Sequence, residues 1–164
     1  YQPRTTKRKY VNGETHLYLG RQYRLMIHHD KAESIKLSGK FLTVSTTDKS
    51  KIKTLVDRWY LEHAQRKLTE ISNPLIERFK KYKVVPTGIV LRSMSTRWGS
   101  CTPNGKIILN PELIKAPRGC IEYVIIHELC HLVHYNHNQK FFELQEREMP
   151  EWEKWKGVLE KVLS

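Results

Sequence analysis

Cysteine is scarce in this sequence, and long apolar runs are missing from it. Three cysteines among 164 residues are too few, and odd in number, for the disulfide framework that stabilises many small secreted domains. The apolar runs extend over only a few residues, so no segment is long enough to cross a bilayer. A signal-peptide pattern of basic, apolar and small residues is also missing. We therefore expect a cytoplasmic protein that does not enter a membrane.

Acidic residues are too few to balance the basic ones. The 29 Lys and Arg exceed the 17 Asp and Glu by 12. The excess lies in residues 1–100, which hold 21 basic and 8 acidic residues, against 8 and 9 in residues 101–164. A positive field attracts nucleic acid or acidic partners. No cluster of arginines and aromatic residues accompanies it, so a solvated surface is favoured and nucleic-acid contact through the basic N-terminal part is the alternative.

The region 11–47 has the alternating apolar residues of β-strands. Tight turns are indicated at Gly20 and Gly39, each between two alternating runs. We predict an N-terminal antiparallel β meander over residues 11–47. The sequence leaves open whether residues 1–10 are ordered.

Residues 48–83 change to helical spacing. Apolar residues recur every three or four positions over residues 52–71, which predicts a long amphipathic helix. Pro74, preceded by Asn73, is expected to end or kink this helix, because proline lacks an amide donor and suits a first helical position. A second helix is predicted from there to about Tyr82.

The catalytic part is predicted in residues 84–164. Its pattern indicates strands at 84–92 and 106–109 and helices at about 117–134, 138–148 and 150–163. The first of these helices is apolar on nearly all sides, which places it in the middle of a domain. We predict one α+β domain over residues 1–164, with a small antiparallel or mixed sheet, a long helix and this buried helix.

Residues 127–131 of the buried helix have the sequence His-Glu-Leu-Cys-His, an H-E-x-x-H motif. His127 and His131 lie one turn apart on the same helical face, so both imidazoles can reach one zinc ion. Glu128 lies about 100° further round the helix, beside the position that a catalytic zinc keeps open for water. Unpaired ionisable groups are costly in so apolar a helix, so a chance match to the motif is disfavoured.

A catalytic zinc usually has three protein ligands, so a third ligand is needed beside His127 and His131. His137 lies six residues after His131, and a turn after the helix end can bring it back to the metal. His134 and Glu143 are the alternatives. If the helix continued, His134 would be carried about 5.4 Å further along the axis, away from the metal. The geometry favours His137 and predicts one zinc ion per chain.

The motif is one of several segments that together carry a family resemblance. In chain order these are Tyr18–Arg21, Trp59–Tyr60, Ala64, Arg97–Cys101, Ile108–Asn110, Tyr123–Leu132, Asn136–His137 and Phe141. They resemble the YgjP-like predicted metal-dependent hydrolases, which are relatives of the SprT-like and WLM zinc peptidases. The resemblance extends over nearly the whole chain, which makes it more specific than the motif alone.

The resemblance implies a zincin-like α+β domain with zinc held by His127, His131 and His137. It also implies that Glu128 is the general base. The ligand spacing equals that of the metzincin peptidases, but His134 stands where those enzymes have glycine, so membership of that group is not implied.

The resemblance also implies where the substrate binds. Zincins often bind substrate in extended form along the strand before the active-site helix. By this analogy, residues 106–110 and the segment Arg97–Cys101 line the cleft, with Trp98 and Asn110 as candidate substrate contacts. Trp98 suits a buried core position equally well, and Gly99 suits a bulge or turn.

The predicted reaction is hydrolysis of a peptide or protein substrate. Zinc polarises the carbonyl and activates water, while Glu128 takes a proton from the water and passes it to the leaving amine. The negative charge that develops on the carbonyl oxygen needs a stabilising group. Arg97, His134 and Tyr135 are the candidates nearest in the sequence.

Two other classes of function compete with the peptidase. A metal-dependent phosphohydrolase acting on nucleotides would use the same zinc chemistry on a phosphoanhydride. A non-catalytic zinc-binding module that contacts nucleic acid would need only a structural ion. Structural zinc sites are normally closed by four ligands, so a glutamate beside an open position argues against such a module.

Overall fold

The computed structural model describes residues 7–163 of the chain. The sequence left open whether residues 1–10 are ordered. Residues 1–6 lie outside the described residues. Residues 7–10 form neither helix nor strand. The described part of the chain contains seven β-strands in two mixed sheets and four α-helices. The α+β class predicted from the sequence is therefore confirmed.

Four strands form the N-terminal sheet. They are β1 (Thr15–Tyr18), β2 (Arg21–His28), β3 (Ser34–Ser38) and β4 (Phe41–Ser45). The hairpins β1–β2 and β3–β4 are antiparallel, but the order across the sheet is β1-β2-β4-β3, and β2 runs parallel to β4. The predicted antiparallel meander was therefore wrong in its connectivity.

The burial of β4 and of β3 differs with their positions in the sheet. Leu42 and Val44 of β4 are 1% and 0% exposed, whereas Ile35 and Leu37 of β3 are only half-buried. The central strand β4 therefore buries its apolar side chains more completely than the edge strand β3. Both strands have the same alternation of side chains, so the sequence pattern does not distinguish the two arrangements.

The long helix α1 extends from Ile52 to Phe79. It is preceded by a 3-10 helix at Lys49–Lys51 and followed by another at Lys80–Tyr82. The carboxylate of Asp48 caps the start by accepting a hydrogen bond from the amide of Ser50 at 2.9 Å. This cap satisfies an amide that has no partner within the helix.

Pro74 was expected to end or kink the helix and to begin a second one; an end at Pro74 is wrong, because the single helix α1 continues through it to Phe79. Proline removes one helical hydrogen bond and crowds the preceding turn, at a cost of about 3 kcal/mol. Ile71, Leu75 and Phe79 are buried and follow one another at four-residue intervals across the proline. Burial of this stripe offsets the local cost, which is a tertiary effect that local propensity does not contain.

Three short strands form the second sheet. They are β5 (Gly88–Leu91), β6 (Gly99–Cys101) and β7 (Lys106–Leu109). The order is β5-β7-β6, with β7 parallel to β5 and antiparallel to β6. The strand β6 was not predicted, because its glycine, serine and cysteine have no strand pattern.

The second half of the chain is mainly helical. A 3-10 helix at Pro111–Lys115 is followed by α2 (Arg118–Val133), α3 (Gln139–Glu148) and α4 (Trp152–Val162). The helix α2 contacts α1, α3, α4 and β6, which explains why it is apolar on most sides. No helix within residues 7–163 combines the length and apolar character needed to cross a membrane.

The turn of the first hairpin lies against the start of α2. The amides of Leu19 and Gly20 donate hydrogen bonds to the carbonyls of Ile114 and Lys115, at 2.8 and 3.0 Å. A Cβ on Gly20 would lie 2.9 Å from the Cα of Pro117, and Gly20 has a φ of +82°. Glycine is needed here for both the backbone conformation and the close approach.

Candidate metal centre

Three imidazoles meet at one end of α2. His127 and His131 lie on the helix, and His137 lies in the connection between α2 and α3. One nitrogen from each ring falls within 4.8 Å of the other two. The Nε2 atoms of His127 and His137 are 3.1 Å apart. Helical spacing places the first two rings on one face, and the chain reversal after Val133 returns the third.

Two of the rings are oriented by hydrogen bonds at Nδ1. His127 Nδ1 lies 2.7 Å from Oε1 of Gln145, and His131 Nδ1 lies 2.8 Å from the carbonyl oxygen of Tyr135. Both oxygens are acceptors, so each Nδ1–H donates. The proton therefore resides on Nδ1, and each Nε2 keeps a lone pair for a metal ion.

The electrostatics of His127 favour the form that binds metal. The pKa of this imidazole is lowered to about 4, chiefly by burial; the Gln145 hydrogen bond raises it, and the neighbouring His131 and His137 lower it. The ring is consequently neutral near pH 7. Neutral imidazole is the form that binds a divalent ion, and three converging imidazole nitrogens are a set of donor atoms that can hold one.

Glu128 lies beside this cluster and is 3% exposed. Burial raises the pKa of its carboxyl group to about 8, and the positive charge of Arg97 opposes that shift. A carboxyl group with a pKa near neutrality is suited to both accepting and donating a proton during a reaction.

The imidazoles and Glu128 form one wall of an open cleft of about 460 Å³. Tyr135 belongs to the same wall, and Thr96, Arg97 and the strand β6 form the other. Since β6 is an edge strand of its sheet, one side of its backbone has no neighbouring strand in the described sheet. An extended peptide can add to such an edge through main-chain hydrogen bonds.

The close approach of β6 to α2 depends on Gly99. A Cβ built on Gly99 would lie 2.8 Å from Cγ1 of Val124 and 3.0 Å from Oε2 of Glu128. Gly99 was expected to permit a bulge or turn. It lies instead in the strand β6, at a position where there is no room for a side chain.

Two of the predicted substrate contacts are buried and do not line the cleft. Trp98 and Asn110 are each 1% exposed. The Asn110 amide nitrogen donates to the carbonyls of Met94 and Arg97, at 2.9 and 3.0 Å, and its oxygen accepts from the amide of Glu112. Asn110 therefore supports the segment that precedes β6 and does not face a substrate.

The strand predicted to bind substrate, 106–110, is also corrected. Its β7 portion is the central strand of the second sheet, with Ile107 and Leu109 fully buried, so β6 separates it from the cleft. The segment Arg97–Cys101 contributes Arg97, Gly99, Ser100 and Cys101 to the cleft, as predicted.

The alternative ligands lie apart from the imidazole cluster. His134 is half-buried at the end of α2 and does not line the cleft. Glu143 is exposed on α3, where it accepts a hydrogen bond from Gln139 at 3.0 Å. Neither belongs to the group of side chains whose ligand atoms converge.

Sequence reasoning missed Gln145 and the role of the neighbouring Phe141. The Phe141 ring lies 4.9, 4.6 and 4.9 Å from the rings of His127, His131 and His137, measured between centroids. Phe141 and Gln145 lie four residues apart, on one face of α3. The spacing of four residues between Gln145 and the apolar Phe141 indicates that both side chains face the interior. It does not indicate which imidazole the Gln145 side chain contacts.

Comparison with known families identifies a match to the chain. A family model described as YgjP-like, metallopeptidase domain matches residues 1–162 of the chain. The matched region includes the N-terminal sheet, both walls of the cleft and all three histidines. No curated protein matches the chain.

Proposed function

The chain belongs to the YgjP-like metallopeptidase family, and we propose that it is a zinc-dependent peptidase with Glu128 as its general base. Family membership makes the chain a metal-dependent hydrolase. The zinc ion, the peptide bond and the roles of individual residues are the proposal. It is carried by the convergence of three imidazole nitrogens within 4.8 Å of one another beside a buried carboxyl group.

The residues of the cleft divide the chemistry between them. His127, His131 and His137 would hold the ion, which supplies Lewis acidity to a carbonyl group and to water when bound. The Glu128 carboxylate accepts a proton from the attacking water and later donates it to the nitrogen of the leaving amine. Its burial supports this role, because burial raises the pKa of the carboxyl group and so makes its carboxylate a stronger proton acceptor.

Negative charge on the carbonyl oxygen needs a stabilising group during the reaction. Of the three candidates predicted from the sequence, Arg97 and Tyr135 line the cleft and His134 does not. We assign the role to Arg97, since it carries a fixed charge and acts electrostatically on Glu128. Tyr135 is 62% exposed and is better suited to contact the substrate at the entrance.

The peptide is proposed to bind in extended form beside β6. Main-chain groups of Gly99 and Cys101, which alternate in β6 with the groups that pair with β7, would pair with the peptide backbone, which holds its carbonyl group near the three histidines. This mode supports cleavage of an unfolded or flexible segment, because a peptide within a folded domain has its main-chain groups already paired.

The two competing functions have less support. A structural zinc module would need a closed site, whereas only three ligands converge among residues 7–163 and Glu128 lies beside them. Nucleotide hydrolysis would require several cations for the phosphates, and Arg97 is the single Lys or Arg among the described residues lining the cleft. Contact with nucleic acid has no support beyond net charge.

The decisive experiment compares Glu128→Gln with Glu143→Gln in the zinc-loaded protein. A peptide library is incubated with each variant and with the wild type, and zinc per chain is measured in parallel. We expect Glu128→Gln to retain zinc and lose cleavage, and Glu143→Gln to keep both, since Glu143 is exposed on α3. Full activity of Glu128→Gln would overturn the proposed base. Phosphate release from nucleotides without peptide cleavage would favour the phosphohydrolase.

A further inference from the structure

Gln145 is fully buried and contacts the imidazole cluster through one of its two polar atoms. Its exposed fraction is 0%, and its Oε1 accepts a hydrogen bond from Nδ1–H of His127 at 2.7 Å. Within residues 7–163, no group accepts a hydrogen bond from its Nε2. One half of the amide is therefore used, and the other half has no partner in the described structure.

An unpartnered amide nitrogen in a protein interior is costly. Burying such a donor costs about 1–3 kcal/mol. Methionine has a similar shape and would fill the same space without this cost. A glutamine therefore lowers stability at position 145 relative to an apolar residue, and its contribution must come from the bond that its oxygen makes to His127.

The Gln145 side chain is held in place by contacts at both ends of α3. At the start of the helix, the Asn138 side chain accepts a hydrogen bond from the amide of Phe141 at 3.0 Å. At the end, the buried Glu148 is paired with Lys81 at 2.9 Å. These contacts anchor the helix at both ends, so the oxygen of Gln145 has a defined position relative to α2.

We propose that Gln145 is a positioning residue for the metal centre. By accepting the Nδ1–H bond, it selects the tautomer and ring orientation of His127 in which Nε2 is directed at the ion. This inference rests on the proposed function, because it requires the three histidines to hold zinc. The amide is uncharged, so it orients the ligand without adding negative charge that would reduce the Lewis acidity of the ion.

The test compares Gln145→Met, which removes the acceptor, with Gln145→Glu, which keeps an acceptor oxygen. Gln139→Met is the matched control, because Gln139 lies on the same helix, is exposed and contacts Glu143. Zinc affinity is measured by competition with a chelating dye. Melting of the metal-free protein is measured separately, and the absorption spectrum after cobalt substitution reports the geometry of the ligands.

We expect Gln145→Met to weaken zinc binding by about 10- to 100-fold and to alter the cobalt spectrum. The metal-free form should melt at or above the wild-type temperature, because the unpartnered nitrogen is gone. Gln145→Glu should bind zinc at least as tightly as the wild type but turn over more slowly. Gln139→Met should match the wild type throughout.

Several results would overturn the inference. Wild-type zinc affinity in Gln145→Met would show that the amide does not position His127, and a lower melting temperature alone would mean a purely structural role. Affinity as weak in Gln145→Glu as in Gln145→Met would show that the acceptor oxygen is not the important feature. A wild-type protein that binds no zinc would instead refute the proposed function itself.

Discussion

A methyl group at position 99 would lie 3.0 Å from Oε2 of Glu128 and closer still to the side chain of Val124. The edge strand β6 and the helix α2 therefore approach each other at a distance that only glycine permits. Gly99 has an ordinary backbone conformation, since its φ is not among the positive values. Glycine is required at position 99 because β6 and α2 leave no space for a side chain, and not because of its backbone conformation.

Gly99→Ala should therefore impair both folding and catalysis. The added methyl group must push β6 or α2 aside, which typically destabilises a packed interior by about 1–3 kcal/mol. Urea unfolding and peptide cleavage measure the two effects. Gly88→Ala is the control, because Gly88 lies in the same sheet with nothing within 4 Å of an added Cβ. Equal stability and activity of the two variants would contradict the proposed close approach.

The metal-free protein should lose stability between about pH 6.5 and 8 because of Glu128. Its pKa rises from 4.5 to about 8 on folding, so the folded state binds more protons than the unfolded state in this range, and stability falls as pH rises. The pKa of His127 falls from 6.5 to about 4 on folding, so this residue changes the free energy of unfolding only below about pH 6.5. Above that pH, the change expected from Glu128 is not masked by His127. The expected change from Glu128 is about 2 kcal/mol.

Glu128→Gln isolates this effect, because it removes the titrating group and keeps the shape of the side chain. Urea unfolding of the metal-free variant at pH 6.5 and pH 8 should show a smaller loss than the wild type. Parallel curves for the two proteins would mean that Glu128 is ionised in the folded state across the range.

His137→Ala should remove most of the bound zinc, whereas His134→Ala and Glu143→Ala should retain it. The Nε2 atom of His137 lies 3.1 Å from Nε2 of His127. The side chains of His134 and Glu143 lie outside the group of three histidines. Loss of one of three ligands leaves two, which is insufficient for a stable catalytic site. Elemental analysis of the three variants, purified alongside the wild type, gives the zinc content per chain. Normal zinc in His137→Ala would require a different third ligand.

Glu148→Gln should destabilise the protein by about 1–3 kcal/mol at pH 7. The carboxylate is buried and pairs with Lys81 at 2.9 Å and with Arg78 at 3.2 Å, while the hydroxyl of Tyr82 donates to it. Burial raises its pKa, but these partners together outweigh burial and hold the pKa below 4.5. The stabilisation is therefore present above pH 4.5 and is lost as pH falls through the lowered value.

Urea unfolding at pH 7 and at pH 3 tests this expectation, since the difference from the wild type should shrink in acid. Glu77→Gln provides the comparison, because Glu77 forms an exposed ion pair with Lys80. Exposed pairs contribute about 0–1 kcal/mol. A Glu148 variant that loses no more stability than the Glu77 variant would show that the buried cluster is not stabilising.

The meeting of His127, His131 and His137 could be predicted because it depends on short-range geometry. Two residues four apart in a helix share a face whatever surrounds the helix. The third follows the helix end by four residues, so the chain cannot carry it far. The position of α2 in the interior could also be predicted, since its apolar residues surround the whole helix.

The rest depends on contacts between segments distant in the chain. Gln145 meets His127 across two different helices, and no spacing rule relates them. The parallel pairing of β2 with β4 and the passage of α1 through Pro74 are decided by which arrangement buries more apolar surface. Local propensity describes each segment but not its partners.

The contact between the first hairpin and Pro117 limits how far this protein can be shortened. Leu19 and Gly20 supply the amides for two carbonyls just before the helix that carries the histidines. A fragment beginning at residue 48 would leave those carbonyls without their donors and would uncover the start of that helix. We therefore expect that removal of the N-terminal sheet destabilises the helix that carries His127 and His131.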